Sequence, residues 1–386
     1  MGSAAARGDM LFGPGHLIGD YEVIGHLGAG GMGSVYKVRH TISDRIEALK
    51  VLRTDISGGP ELAERFLREI RLQAKLNHHN IASVHNAFRF EDQLVLVVEF
   101  IEGTSLRDKL EAPGITLAQA IDYTVQMLSA LGYAHAQGVI HRDIKPSNAM
   151  IASSGTVKLL DFGLATSGHD PYLTQPGTLL GSPHYMSPEQ ARGEHVDARS
   201  DLYSVGAVLY EMLTGRPPFD AQGAYAIIAG HLNQAPTDPR VLNSNLSAEL
   251  SQIILKALAK SPEDRMQSAD AFRRALQTGR LTDTTASMTM PIPKIRPAGS
   301  PLYAEHPPEA PPYGAAEIEH AAKELAQYIG PIAQIVVRRA APKCHTLADL
   351  YTMVADEISS LTNRQQFLAG MPAGPNRSTS GTPSEG

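Results

Sequence analysis

The sequence predicts an α+β chain of two lobes with a cleft between them, followed by a small C-terminal α-helical unit. Three observations carry this. From Tyr21 to about Phe100, apolar residues come in short, β-branched runs. After Gly103 the apolar spacing becomes helical, and a strand-rich part followed by a helix-rich part makes two packed lobes. Between about Thr282 and Pro312 the chain turns to Thr, Ser and repeated Pro, and helical spacing resumes near Ala315.

The strand expectations are Tyr21–Leu27, Ser34–His40, Ile46–Leu52 and Gln93–Phe100. One helix interrupts them over 60–76, where Leu62, Phe66, Ile70 and Ala74 recur every four residues and draw one face. Helices are then expected over Leu117–Ala136, Asp201–Leu213, Ala224–Leu232 and Ala248–Leu258, with the pattern ending near Leu276. In the C-terminal unit, Ala316–Tyr328, Pro331–Ala340 and Thr346–Ser359 read as short helices, with Asn363–Leu368 as a further turn. The division expected is a disordered lead-in over 1–16, a two-lobed main domain over 17–280, a Pro/Ser/Thr-rich linker over 281–313, a helical domain over 314–370, and a disordered tail over 371–386.

Composition bounds the function. The chain has 386 residues, 42% of them hydrophobic, enough for a sizeable core. A net charge of −6 offers no basic excess for nucleic acid or a membrane surface. The single cysteine, Cys344, forms no intrachain disulfide and reads as a small apolar residue. No apolar run reaches the roughly 18–20 residues of a membrane helix. The stretch Ile329–Val337 runs into Arg338 and Arg339. Residues 1–15 lack the apolar core of a signal peptide, and Ala6 stands where an acylation signal wants Ser or Thr. A cytoplasmic location is expected.

The chemistry lies in four short motifs. Gly28-Ala29-Gly30-Gly31-Met32-Gly33-Ser34-Val35 is a G-x-G-x-x-G-x-V run, whose backbone amides can approach phosphates because no Cβ intervenes. Alone it is also compatible with a plain glycine hairpin or a dinucleotide-binding turn. The latter needs a helix after the glycines, and Val35–Val38 has a strand pattern. Lys50 ends a strand pattern 17 residues after Gly33 and can act as a fixed cation for phosphates, with Glu69 on the 60–76 helix as its counter-charge. Either residue alone is more often a solvated surface charge.

The strongest signal is His141-Arg-Asp143-Ile-Lys145-Pro-Ser-Asn148. Phosphoryl transfer needs a carboxylate to orient the hydroxyl and take its proton, a cation on the moving group, and oxygen ligands for Mg²⁺. Asp143, Lys145 and Asn148 offer these within six residues. Asp161-Phe-Gly163 follows a strand pattern at Thr156–Leu160 and supplies a second metal ligand, consistent with the few protein oxygens Mg²⁺ usually takes.

With these motifs in this order, the sequence resembles the protein kinase family, and more narrowly the eukaryotic-like serine/threonine kinases of bacteria. Gly181–Gly193 and Ser200–Gly206 carry phrases typical of that group, and the resemblance spans about residues 17–277. It implies a two-lobed protein kinase fold with a five-stranded N-lobe. It also implies ATP binding by Leu27, Gly28, Ala29, Gly30, Gly31, Met32, Gly33, Val35, Ala48, Lys50 and Glu69, with Val98 as gatekeeper and Glu99–Ile101 as the hinge. Asp143 is then the base, Lys145 the support for the γ-phosphate, and Asn148 and Asp161 the ligands of Mg²⁺ or Mn²⁺. Asp201 tethers the catalytic loop, and Glu189 pairs with Arg265.

Lysine two residues after the base implies Ser or Thr acceptors on protein substrates. In the activation segment, 163–188, Thr174 and then Thr178 are the phosphosite candidates, with Arg142 and Arg65 to receive the phosphate. Departures from the family pattern are Ser182, Ser187 before Pro-Glu, His78-His79-Asn80 without the usual proline, and Gln73 at an ordinarily apolar place. The C-terminal unit suits self-association as a homodimer or docking. A non-enzymatic scaffold is disfavoured because every charged catalytic position is filled.

Overall fold

In a computed structural model the described residues are 12–30, 33–52, 67, 70–91, 93–112, 114–162, 183–221 and 223–280, and then 315–329, 333–341, 344, 346–355, 358 and 361–371. The chain divides into two compact units, residues 1–297 and 298–386. The expected linker and tail lie outside the described residues, apart from Met371. So do Glu69, Arg65, Gly31, Met32, Thr174 and Thr178.

The N-terminal lobe is one antiparallel sheet in the order β1-β2-β3-β4-β6-β5. Its strands are β1 (Leu17–Ile18), β2 (Tyr21–Gly30), β3 (Gly33–His40), β4 (Ile46–Leu52), β5 (Val84–Phe90) and β6 (Gln93–Glu99). Five strands were expected. The sixth, β1, has only two residues and pairs with Tyr21 and Glu22.

Alternation separates the sheet's faces. Val23, Tyr36, Val38, Leu49, Val51, Val95 and Val97 form an apolar layer on one side. Phe12 closes this layer, edge-on to Tyr36 and Phe90. The Gly15 amide donates to the Val23 carbonyl, and the Val23 amide donates to that of His16. The disordered lead-in expected through residue 16 is therefore corrected for 12–16. Its Gly-rich composition hid one aromatic whose burial outweighs the ordering cost of a short turn. The other face carries Val35, Lys50 and Leu96 in register, and Ala48 opposite Val98. Of the helix expected over 60–76, residues 67 and 70–73 are described as helical.

Helices make the second lobe. Leu117–Ala136 is one 20-residue helix opened by a capping box between Thr116 and Gln119. It packs on Ala198–Thr214 and Ala269–Arg280, with Ala248–Ala257 behind. Helix 198–214 is buried from Ser200 to Thr214, so it forms the lobe's spine. A second sheet, β7 (Gly103–Ser105), β8 (Ala149–Ala152) and β9 (Val157–Leu159), lies where the lobes join. The Leu159 amide donates to the Asn80 carbonyl, and the Ala82 amide donates to the Leu159 carbonyl, so β9 is stitched to the segment that leads into β5.

Two buried polar arrangements brace this lobe. Arg265 grips Glu189 bidentately at 2.7 Å on each oxygen, with Ser200 donating to the same carboxylate. Burial alone would raise the Glu189 carboxyl, but the bonds from Arg265 and Ser200 hold it below its ordinary value. His231 is fully enclosed between the Tyr203 hydroxyl at Nδ1 and the His184 carbonyl at Nε2. Burial, and then the nearby Lys260 ammonium, push His231 down to about 3.

The sign of the pH effect follows. Between the ordinary histidine range near 6.5 and about 3, the unfolded chain binds a proton at His231 that the folded chain refuses. Stability should fall progressively as pH drops through that window. His231→Gln should flatten the decline in a series of thermal melts between pH 7 and 4. An unchanged slope would contradict the assignment.

The C-terminal unit has helices Ala315–Ile329, Ala333–Ala340, Leu347–Ala355 and Leu361–Ala369. Ala321, Leu325, Val337, Leu350, Val354 and Phe367 share its core. Tyr351 stacks on Phe367 at 5.0 Å and donates to Glu324. Cys344 is buried in the same core. The last element, expected as a turn, is a full helix because Phe367 and Leu368 gain apolar partners.

Candidate active site

The glycine-rich hairpin is β2 turning into β3. Gly28 and Ala29 lie at the end of β2 opposite Val35 and Ser34, and Gly30 pairs with Gly33. Gly33 has a φ of +142°, and a Cβ there would run into the Val51 carbonyl oxygen, so only glycine fits. Leu27 is half exposed beside it.

Lys50 and Ala48 project from β4 to the cleft face, and both are largely buried. Lys50 Nζ donates to Asp161 Oδ2 at 2.9 Å. Asp161 has a φ of +55°, a strained conformation for a non-glycine residue that surrounding contacts must hold. β6 brings Val98 opposite Ala48 and ends at Glu99. The Glu99 side chain is spent on Lys158 and on the Ser83 amide, which leaves the backbone of 99–101 for recognition. Ile101 is buried next to it.

The loop 141–148 is held from below. The Asp201 carboxylate accepts the His141 and Arg142 amides at 2.9 and 2.8 Å, and His135 Nε2 lies 2.7 Å from it. His141 faces the Leu160 carbonyl through Nε2 at 2.8 Å, and its Nδ1 receives the Asp143 amide. These contacts require a neutral ring protonated on Nε2. The ring also packs on Phe162 at 4.5 Å, joining the loop to the residue after Asp161.

Asp143 stands where these supports converge. Its Oδ2 accepts from Lys145 Nζ at 2.7 Å and from Asn148 Nδ2 at 2.9 Å. Asn148 spends its amide nitrogen on Asp143, which leaves its Oδ1 as an oxygen donor, and Asp161 contributes a carboxylate. A carboxylate and an amide oxygen suit a hard divalent cation. The Leu160 amide donates to the Asn148 carbonyl and ties the two candidate ligands' segments together.

Several supporting residues escaped the sequence reading. Gln190 caps the Ser187 amide and also donates to the Arg142 carbonyl at 2.7 Å, so helix Pro188–Arg192 is bolted to the residue before Asp143. The spacing Ser187-x-x-Gln190 is a capping box and could have flagged it. His135, Lys158 and Asn80 gave no such signal, because their partners are distant in the chain.

Gln73 is buried, and its Oε1 has no hydrogen-bond partner among the described residues. An orphaned buried polar atom costs about 1–3 kcal/mol. Gln73→Leu should therefore raise thermal stability by roughly 1–2 kcal/mol. A lower melting temperature would mean that the amide has a stabilising role.

Known proteins with this arrangement are numerous. The family described as the protein kinase domain matches residues 21–276. The chain belongs to the protein kinase family. The kinase domain is 41% identical over 270 residues to serine/threonine-protein kinase PknB of Mycobacterium tuberculosis, covering 68% of this chain and 43% of that protein. A probable serine/threonine-protein kinase of Streptomyces coelicolor, SCO3848, is 40% identical over 287 residues, covering 71% of this chain and 42% of that one. The chain thus spans about two-fifths of the length of these curated relatives. The crystal structure of the M. tuberculosis PknI kinase domain superposes with a TM-score of 0.57 at 29% identity, over 70% of this chain and 100% of that one. Residues 316–373 match a domain of unknown function, DUF8082.

Proposed function

We propose that the chain is a serine/threonine protein kinase that transfers the γ-phosphate of MgATP to protein hydroxyls. The observation that carries this is the convergence on Asp143: one carboxylate oxygen held by Lys145 and Asn148, on a loop fixed by Asp201, with Lys50 and Asp161 paired nearby.

Each residue's task follows from its surroundings. Asp143 orients the acceptor hydroxyl and takes its proton. Lys145 lies against the same carboxylate, where its charge can follow the moving phosphoryl group. Lys50 holds Asp161 in its strained conformation and offers a cation to the nucleotide's phosphates. Asp161 and Asn148 would hold the metal, Mg²⁺ or Mn²⁺, which neutralises phosphate charge when bound. Val98, Glu99 and Ile101 line the adenine end. Serine or threonine acceptors are supported by Lys145 and by the names of the relatives.

Regulation by autophosphorylation at Thr174 or Thr178, self-association through the C-terminal unit and a cytoplasmic location belong to the same proposal. Among the described residues, no helix is long and apolar enough to cross a membrane.

The test is incubation of purified protein with γ-labelled ATP, Mg²⁺ and an unstructured Ser/Thr-rich acceptor protein. Label should enter serine or threonine. EDTA should abolish transfer while circular dichroism stays unchanged, because the metal arrives with the nucleotide and holds no part of the core. Loss of folded structure on chelation would overturn the metal assignment.

A further inference from the structure

The glycine-rich hairpin carries little of its own to hold it in place. β2 departs from regular pairing twice, between Val23 and Gly25 and between His26 and Gly28, before the paired glycines. Its last three residues, Gly28, Ala29 and Gly30, offer no side chain larger than a methyl. Glycine loses more freedom on ordering than any other residue, so the hairpin has to be fixed from its base. The residue at that base on the side away from the cleft is Tyr36. It pairs with His26, and it follows Val35, which faces the cleft opposite Gly28.

Tyr36 is fully buried, and its hydroxyl has no hydrogen-bond partner among the described residues. A buried hydroxyl without a partner gains by reaching water, so close packing has to keep the ring where it is. Two rings meet it. His26 on β2 lies at 5.3 Å and is itself exposed. Phe12, from the segment before β1, stands edge-on at 5.8 Å and is only 8% exposed.

Phe12 is in turn tied to the rest of the sheet. Its ring meets Phe90 of β5 edge-on at 6.0 Å and His16 at 4.7 Å. The His16 amide donates to the Gly13 carbonyl, closing a turn in which Gly15 has a φ of +84°. The two bonds between 15–16 and Val23, at 2.8 and 2.9 Å, clip this turn to β2 just before its first irregularity. Tyr21 of β2 stacks on Phe88 of β5 at 5.8 Å, so the sheet curls around the same apolar layer. Phe12 thus links the base of the hairpin to β5, at the far edge of the sheet.

We propose that Phe12 is a positioning residue for the nucleotide: by packing on Tyr36 it fixes the base of the glycine-rich hairpin, and with it the backbone amides that meet the phosphates. The inference rests on the phosphoryl-transfer reading of the cleft. Without the ring, Tyr36 regains a path to water and the hairpin base loosens. Nucleotide binding weakens. The bonds that hold the loop of Asp143, through Asp201, Leu160 and Gln190, involve neither β2 nor β3, so the acceptor side is left as it was.

The test uses the full chain. A fluorescent ATP analogue is titrated for its Kd, and steady-state kinetics vary MgATP and an unstructured Ser/Thr-rich acceptor protein in turn. Phe12→Ala should raise the analogue Kd and the MgATP KM about fivefold, the scale of one lost aromatic pair. The acceptor KM, and kcat at saturating MgATP, should be little moved. Phe12→Leu keeps most of the apolar volume and removes the ring pair. It should show the same split to a smaller extent, and it carries the test if Phe12→Ala does not fold. Tyr36→Leu should also raise the analogue Kd, and adding Phe12→Leu to it should change little more, because both substitutions remove one contact.

A ring that only added stability would lower the melting temperature of its variants and leave Kd and both KM values of the folded protein unchanged. That result would overturn the proposal. So would an acceptor KM that rises in step with the MgATP KM, or a double variant whose effects multiply. No transfer by the wild-type chain would overturn the kinase reading itself, and the Kd series would still decide whether Phe12 acts on nucleotide binding.

Discussion

Asp143→Asn should retain nucleotide binding and lose transfer by about 10³-fold, within the range expected for removal of a general base. In the native loop Asp143 Oδ2 accepts from both Lys145 and Asn148, so an amide there keeps the volume and changes the chemistry. The amide cannot take the acceptor's proton; its oxygen can still accept from Lys145 and Asn148, and its NH₂ group then stands where the second carboxylate oxygen was. The rest of the loop should persist, because its anchors are the His141 and Arg142 amides on Asp201 and the Gln190 bond to the Arg142 carbonyl. Fluorescence titration with a nucleotide analogue should therefore give a Kd near that of the wild type while labelled-phosphate transfer collapses. Loss of both together would mean that Asp143 is a structural residue.

The largest stability effect should come from the Glu189–Arg265 pair. Both side chains are buried, and Arg265 also donates to the carbonyls of Ala259, Lys260 and Arg199. It thus joins helix 188–192 to the segment before helix 269–280. Arg265→Ala removes five donors and leaves a buried carboxylate with Ser200 as its remaining side-chain donor among the described residues, which should cost about 3–5 kcal/mol. Glu189→Gln should cost less, since an amide oxygen can still accept from the guanidinium. Urea denaturation of the two variants tests the order. Equal, small losses would show that the pair is solvated and not buried as described.

Much of this was legible from the residues alone. β4 and the 117–136 helix have the bounds that their periodicity indicated, because each is a continuous apolar pattern ended by turn residues or a cap. The residues around Asp143 were legible for another reason: phosphoryl transfer needs particular groups at short spacing, and 141–148 holds them in one loop.

Beyond Asp201, the supports of that loop were not legible. His135 reaches Asp201 across 66 residues, and nothing in local spacing marks the pairing. Phe12 was hidden because one buried aromatic makes no periodic pattern. Gln73 stood out in sequence as an oddity, and its orphaned oxygen gives that oddity a physical cost.

The most direct measurement is phosphosite mapping by mass spectrometry after wild-type and Asp143→Asn proteins are incubated in parallel with MgATP and an acceptor protein. The account predicts phosphate on serine and threonine of the acceptor with the wild type, and almost none with the variant. Equal phosphate from both proteins, or phosphate confined to tyrosine, would contradict it.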